Sequence, residues 1–276
     1  MTTSPVSPVV HPGTELPDLS ARRVPPMGGF NLTLLGLEMR RMLRNRRTMI
    51  FTMIMPIVFY LIFGLSVHGG QQGLGPGSHG NVSAFVLVSM ALYGAVLATS
   101  AGGAMVSIER SAGWSRQLRL TPLSPVAYIV TKMLTAMLLG AASVAAVFVV
   151  GAITGAADMT FAAWVLCAVA TWLGSLMFAA FGLFMGYLLP TENVMQVQSF
   201  ALVIFAFAGG LFLDLTQMPG WYQTLAQFTP LWGLNELVHA PIAGSTDTMA
   251  WLNVVAWLAV FVAGAAWRFR KDTARV

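Results

Sequence analysis

Charge is scarce in this chain. Only 9% of its 276 residues are Asp, Glu, Lys or Arg, against about a quarter in soluble domains. Hydrophobic residues make up 57%, and the mean hydropathy is +0.73. So little polar surface cannot coat a water-soluble globule of this size, and a bilayer is the solvent that fits. Cysteine is nearly absent. Cys167 stands alone in an apolar run, which excludes an internal disulfide and a thiolate metal site. Lysine occurs twice, as Lys132 after Thr131 and Lys271 after Arg270. Neither completes the Gly-x-x-x-x-Gly-Lys-Ser/Thr phosphate loop, so the chain has no ATP-hydrolysing motif of its own. His11, His68, His79 and His239 show no ligand spacing, and the apolar runs hold no Ser–His pair or His-Glu-x-x-His motif. The residues therefore suggest no catalytic group, no metal site and no cofactor bound by this chain.

What charge there is has a pattern. The formal net charge is +5 and the isoelectric point is near 9.9. The basic residues are not spread over a face, as nucleic-acid binding would require. They fall in short blocks between apolar runs, the way a membrane protein marks its cytoplasmic side. Residues 1–29 contain six prolines and no apolar core, so they read as a disordered cytoplasmic tail instead of a cleavable signal. Arg, Ala and Gly are plentiful, a hint of a GC-rich bacterial genome and hence of a bacterial inner membrane.

About 20 apolar residues carry a helix across the hydrocarbon. Six stretches qualify: Thr48 to Val67, Val82 to Ile108, Val126 to Thr154, a span within Thr160 to Leu189, Val194 to Leu213 and Thr248 to Trp267. The expectation is an all-α integral membrane fold, with a six-span domain over residues 48–267 and a short cytoplasmic tail over 268–276. Arg40, Arg41, Arg44, Arg46 and Arg47 precede the first span; Arg268, Arg270, Lys271 and Arg275 follow the last. Placing both blocks inside requires an even number of crossings. The outer connections 69–81, 155–159 and 214–247 then contain no Lys or Arg. Lys132, near the start of the third span, is expected to snorkel to the cytoplasmic surface.

A seventh apolar stretch, Leu215 to Asn235, is interrupted by Pro219, Gly220 and Pro230 and carries Gln217, Gln223 and Gln227. It reads as short re-entrant helices over 215–238 on the outer side, with Trp221, Tyr222 and Trp232 at headgroup level. Before the first span, Leu32, Leu35, Met39, Met42 and Leu43 recur at helical spacing, so residues 30–47 are expected to form an amphipathic helix. It could serve as an interfacial anchor, as a lever against a cytoplasmic partner, or as both.

The connection between spans two and three is longer than a hairpin needs. Trp114 and Leu118 lie four apart, Glu109, Arg110, Arg116 and Arg119 surround them, and Pro122 ends any helix. Residues 109–121 thus read either as a docking surface or as a positively charged topology signal. No Asp, Glu, Arg or Lys falls near the centre of a span, which argues against an ion-coupled carrier. Gly151/Gly155 and Gly182/Gly186 have the spacing that lets helices approach closely, and a seam between two copies is one use of it.

Four places together resemble the membrane-spanning permease of type-2 ABC exporters, the group that includes daunorubicin-resistance permeases. The first is Glu38-Met39-Arg40-Arg41 with the arginine cluster, then Met55-Pro56. The second is Glu109-Arg110 … Gly113-Trp114 … Leu118 … Thr121-Pro122-Leu123-Ser124, followed by Lys132 and similar to the family's Glu-Arg-Glu-x-Gly-Thr … Leu … Thr-Pro-Leu-Ser … Gly-Lys. The third is Ala208-Gly209-Gly210-Leu211-Phe212 leading to Met218-Pro219-Gly220-Trp221 and Thr229-Pro230. The fourth is Gly244 before the last span. Ser111, Trp114 and Thr131 depart from the family's acidic residue, Thr and Gly.

The resemblance covers about residues 30–270. It implies that 30–47, with Glu38, Arg40, Arg41 and Arg44, is the connecting helix. Residues 109–121, with Glu109, Arg110, Gly113, Trp114, Leu118, Arg119, Thr121 and Pro122, would be the coupling helix gripped by a separate ATP-binding subunit that holds ATP and Mg. Gly209, Gly210, Pro219, Trp221 and Pro230 would belong to the outer re-entrant element. Two six-span subunits would pair to extrude a drug, antibiotic or lipid. A glycan exporter, or a carrier or channel without an ATPase, are the alternatives. Glu109→Ala or Leu118→Asp is expected to uncouple transport without unfolding the protein.

Overall fold

The computed structural model describes residues 31–45, 50–66, 72–75, 77–113, 124–213 and 215–273. The expected coupling segment from Trp114 to Leu123, the tail, Arg46 and Arg47 lie outside them.

Asn31 caps the first helix, α1 (Leu32–Leu43), by accepting the Thr33 amide at 2.8 Å. The helix is shorter than the expected 30–47, because Arg44 is already its C-cap. The first apolar segment is not the uniform helix its composition predicts. A five-residue α-turn, α2 (Met55–Phe59), is flanked by wider π-helical turns at Ile50–Ile54 and Tyr60–Gly64. Pro56 has no N–H with which to close an α-helical bond on the Thr52 carbonyl. That oxygen instead accepts the Ser143 hydroxyl from a neighbouring helix at 2.8 Å.

The centre of the molecule is α3 (Val82–Ser111). At 30 residues it is about 45 Å long, more than the hydrocarbon of a bilayer requires. Asn81 begins it, accepting the Ala84 amide at 2.8 Å, while its amide nitrogen donates to the Ala156 carbonyl. One side chain thus caps the helix and pins the neighbouring loop. Leu87, Val88, Leu92 and Val96 are buried, because α3 packs against almost every other long helix. Its partners are α4 (Pro125–Thr154), α5 (Phe161–Gly174), α6 (Leu176–Leu188) and α7 (Thr191–Ala208). Ser124 and Thr160 cap α4 and α5 through the Ala127 and Ala163 amides.

Where α3 meets α6 the two backbones nearly touch. A Cβ on Gly182 would stand 2.0 Å from the Ser100 carbonyl oxygen, and one on Gly103 2.5 Å from that of Ala179. Gly151 meets a side chain instead, a Leu87 methyl standing 2.5 Å from where its Cβ would be, and Gly155, with open space around it, ends α4 in the left-handed region at φ 63°. The Gly182/Gly186 spacing is therefore used within this chain, between α3 and α6.

Leu215–Gln217, α8 (Gly220–Ala226) and α9 (Pro230–Ala243) follow, broken at Pro219 and Pro230. The stretch 215–235 is thus a set of short helices, none of them among those long and apolar enough to cross a membrane, and α9 runs on past the expected limit of 238. The last helix is α10 (Thr248–Thr273). It is mostly exposed along its apolar length, with Trp251, Val255 and Val262 outward, a surface that lipid would cover.

Four helices are long and apolar enough to cross a membrane: Val82–Ser111, Val126–Thr154, Phe161–Leu188 and Thr248–Lys271. The third joins α5 and α6 through Ser175. Of the other two expected spans, the first is a shorter apolar helix over Thr52–Gly64 among the described residues. The fifth, α7, has 18 residues but opens with Glu192, Asn193, Gln196 and Gln198. The chain is a helical, multi-pass membrane protein.

Candidate functional site

At one end of α3 and α4, four charges from three helices converge. Glu109, in the last turn of α3, is 3% exposed, and Lys132 of α4 is 4% exposed. The Lys132 ammonium lies 2.5 Å from Glu109 Oε1 and 2.8 Å from Glu38 Oε2 on α1. Arg41, one turn after Glu38, donates to Glu109 Oε1 at 2.9 Å. The Tyr128 hydroxyl donates to the other Glu109 oxygen, and the Tyr128 ring lies 5.4 Å from the Lys132 nitrogen. Two carboxylates and two cations make the cluster neutral, as burial requires.

The local sequence explains the assembly. Lys132 is eight residues into α4, about 10 Å along the axis from its first residue, and it faces inward. Tyr128 precedes it by four positions and so shares its face. Glu38 and Arg41 are three apart on α1 and 4.0 Å from each other. The cluster is exposed only at Arg41, whose side chain is 49% accessible. Lys132 therefore does not snorkel. It is the buried bolt by which α1 is fastened to both α3 and α4, and any displacement of α1 must part Lys132 from Glu38 or Arg41 from Glu109.

Glu109 and Arg110 differ from their expected place on a protruding docking helix. α3 continues unbroken to Ser111, and both residues belong to it. Arg110 donates to the Gly186 and Tyr187 carbonyls at 3.2 Å, its guanidinium 5.5 Å from the Tyr187 ring. These bonds satisfy the open carbonyl end of α6. Gly113 follows at φ 74°, a left-handed turn suited to glycine, and redirects the chain there. Trp114, Leu118, Arg119, Thr121 and Pro122 lie outside the described residues. Because Glu109 is buried in an ion cluster, Glu109→Ala would disturb the fold and is not the clean uncoupling change expected from sequence.

On α1, Arg40, Arg41 and Arg44 line an open cavity of about 460 Å³ together with Leu37.

At the opposite end, the element expected on the outer side is sewn to the neighbouring helices. Gly209 lies against the Trp232 backbone, where a Cβ would stand 2.8 Å from its nitrogen. Gly210, at φ 78°, accepts Asn235 Nδ2 at 3.3 Å. Pro219 and Pro230 begin α8 and α9. Of the rings expected at headgroup level, Trp221 is exposed and Tyr222 donates to the Phe207 carbonyl at 3.1 Å. Trp232 departs from that expectation: its ring is buried, packed with Ala226 and Ala250.

Two features escaped the sequence. Tyr128 carried no charge or motif to mark it. His239, expected in a loop, lies buried in α9, with its ring stacked 4.1 Å from Phe85. Its Nδ1–H donates to the Asn235 carbonyl at 2.7 Å, and Nε2 faces the Ser89 hydroxyl at 3.1 Å and the Phe85 carbonyl at 3.2 Å. Among the described residues no group of three His, Cys, Asp or Glu could hold a metal.

The geometry defines a polytopic helical membrane protein with an amphipathic helix bolted to its long helices. Residues 31–242 match the family described as ABC-2 type transporter; the chain belongs to that family and is a transport permease subunit. It is 27% identical over 243 residues to "Putative transport permease YvfS" of Bacillus subtilis (strain 168), covering 86% of this chain and 96% of that protein.

Proposed function

We propose that this chain is the six-span permease subunit of an ATP-driven exporter. It pairs with a second six-span subunit, and each is powered by a separate ATP-binding subunit that holds ATP and Mg. The cargo is hydrophobic or amphipathic: a drug, an antibiotic or a lipid. The observation that carries this reading is the ion cluster that fastens α1 to α3 and α4. A force applied to α1 or to the connection after Gly113 would reach both long spans as one push, since the buried charges cannot separate without a large desolvation cost. The missing phosphate loop makes the source of that force external.

The even span count rests on charge. With six crossings and both termini cytoplasmic, no Lys or Arg falls in the outer connections. The bacterial inner membrane is the compartment that agrees with this arrangement. The uncharged middle of the spans favours an apolar cargo over an ion.

The test is purification of the tagged protein from its native membrane in mild detergent. A stoichiometric soluble protein with a phosphate loop should co-elute and be lost in Leu118→Asp, with the variant still folded. Absence of any such partner across several detergents would refute the reading.

A further inference from the structure

We propose that α1 carries a binding site for the headgroup of an anionic glycerophospholipid, formed by Arg40, Arg41 and Arg44 with Leu37 as its apolar wall. Positions 37, 40, 41 and 44 share one helix face, and together they line the open cavity of about 460 Å³. The charge balance leaves this cavity cationic. Glu38 and Glu109 are matched by Lys132 and Arg41 inside the ion cluster. No carboxylate among the described residues pairs with Arg40 or Arg44, and both are exposed.

The apolar surroundings select a lipid over a soluble anion. Leu37, which belongs to the cavity, is 61% exposed, and Leu32 and Leu43 on the same helix are exposed too. The chain enters its first apolar segment at Ile50, so α1 sits where lipid phosphates and the upper acyl chain meet. Guanidinium groups bind phosphate in a forked geometry, while exposed leucines have an apolar partner only in an amphiphile. A lipid held there would brace the face of α1 next to the one bolted to α3 and α4, with Arg41 where the two meet. This inference rests on α1 lying at the membrane surface and is independent of how transport is energised.

Native mass spectrometry of the full-length protein, released from nanodiscs containing equal phosphatidylglycerol and phosphatidylcholine, reads the site directly. The wild type should retain phosphatidylglycerol in preference to phosphatidylcholine, and R40Q/R44Q should retain it about 30-fold more weakly. Both side chains are outside the ion cluster, so the variant should fold normally, and R40K/R44K should keep most of the binding. Equal retention of the two lipids, unchanged retention in R40Q/R44Q, or displacement by excess inorganic phosphate would each overturn the proposal. So would loss of a co-purifying soluble protein from R40Q/R44Q with lipid retention unaltered, since the face would then belong to a protein partner.

Discussion

The Lys132 ammonium stands 2.8 Å from the Glu38 carboxylate, a contact between the amphipathic helix and a membrane-spanning one that the sequence separates by more than ninety positions. Lys132→Met would strand Glu109, 3% exposed, beside Glu38 with one cation in place of two. Breaking a buried pair by removing one partner costs about 3–5 kcal/mol. Thermal unfolding in detergent should show a loss of that order. The double variant Lys132→Met/Glu109→Gln should recover much of it, because no unmatched charge then remains in the interior. A double variant as unstable as the single would mean the cluster is not a coupled unit.

Gly182→Ala should be among the most damaging small changes in the chain. The added Cβ would meet the Ser100 carbonyl oxygen at 2.0 Å, so α3 and α6 must separate, at a cost of about 1–3 kcal/mol. Gly36→Ala on α1, with nothing within 4 Å, should instead gain up to about 1 kcal/mol from helix propensity. The two melting temperatures in the same detergent should move in opposite directions.

His239 gives stability an acid limit. Burial lowers its pKa below the ordinary value, opposed in smaller measure by hydrogen bonds to the Asn235 and Phe85 carbonyls. An unfolded chain therefore takes up a proton near pH 6.5 that the folded one resists. Stability is full above that pH and falls as the solution is acidified through it. Melting curves from pH 7.5 to 5 should show this slope in the wild type and a shallower one in His239→Gln. An unchanged slope would assign the acid sensitivity to another group.

Ser143→Ala should cost about 1–3 kcal/mol, the usual penalty for depriving a buried polar atom of its partner, because the hydroxyl bonds the Thr52 carbonyl. Ser143→Thr, which keeps the hydroxyl, should cost less. Equal melting temperatures for the wild type and Ser143→Ala would show that the bond adds nothing.

Hydropathy alone located α3, α4, the α5–α6 pair and α10, because long apolar runs between charged blocks have few other uses. It was blind to the helix register at the ends. Glu109 and Lys132 are 23 positions apart and looked like a docking charge and a snorkelling one. Only the packing of α1 across the α3–α4 pair turned them inward together. The Gly-x-x-x-Gly spacings signalled close approach but not the partner, since sequence spacing does not say which backbone will come near. From sequence, Trp232 belongs at headgroup level and His239 in an outer connection, a stretch broken by Pro219 and Pro230. In the fold those prolines start helices that pack inward, so the rings are covered. The π turns beside Pro56 left no compositional trace.

Those turns constrain how the molecule can move. Where Pro56 interrupts the ladder, the main chain of one element is completed by a side chain from α4, Ser143 on Thr52. Inside a bilayer no water waits to take over such a bond. Residues 50–64 and α4 are consequently one mechanical part. Whatever rearrangement opens a path through this protein, the dividing line between its moving pieces must pass elsewhere.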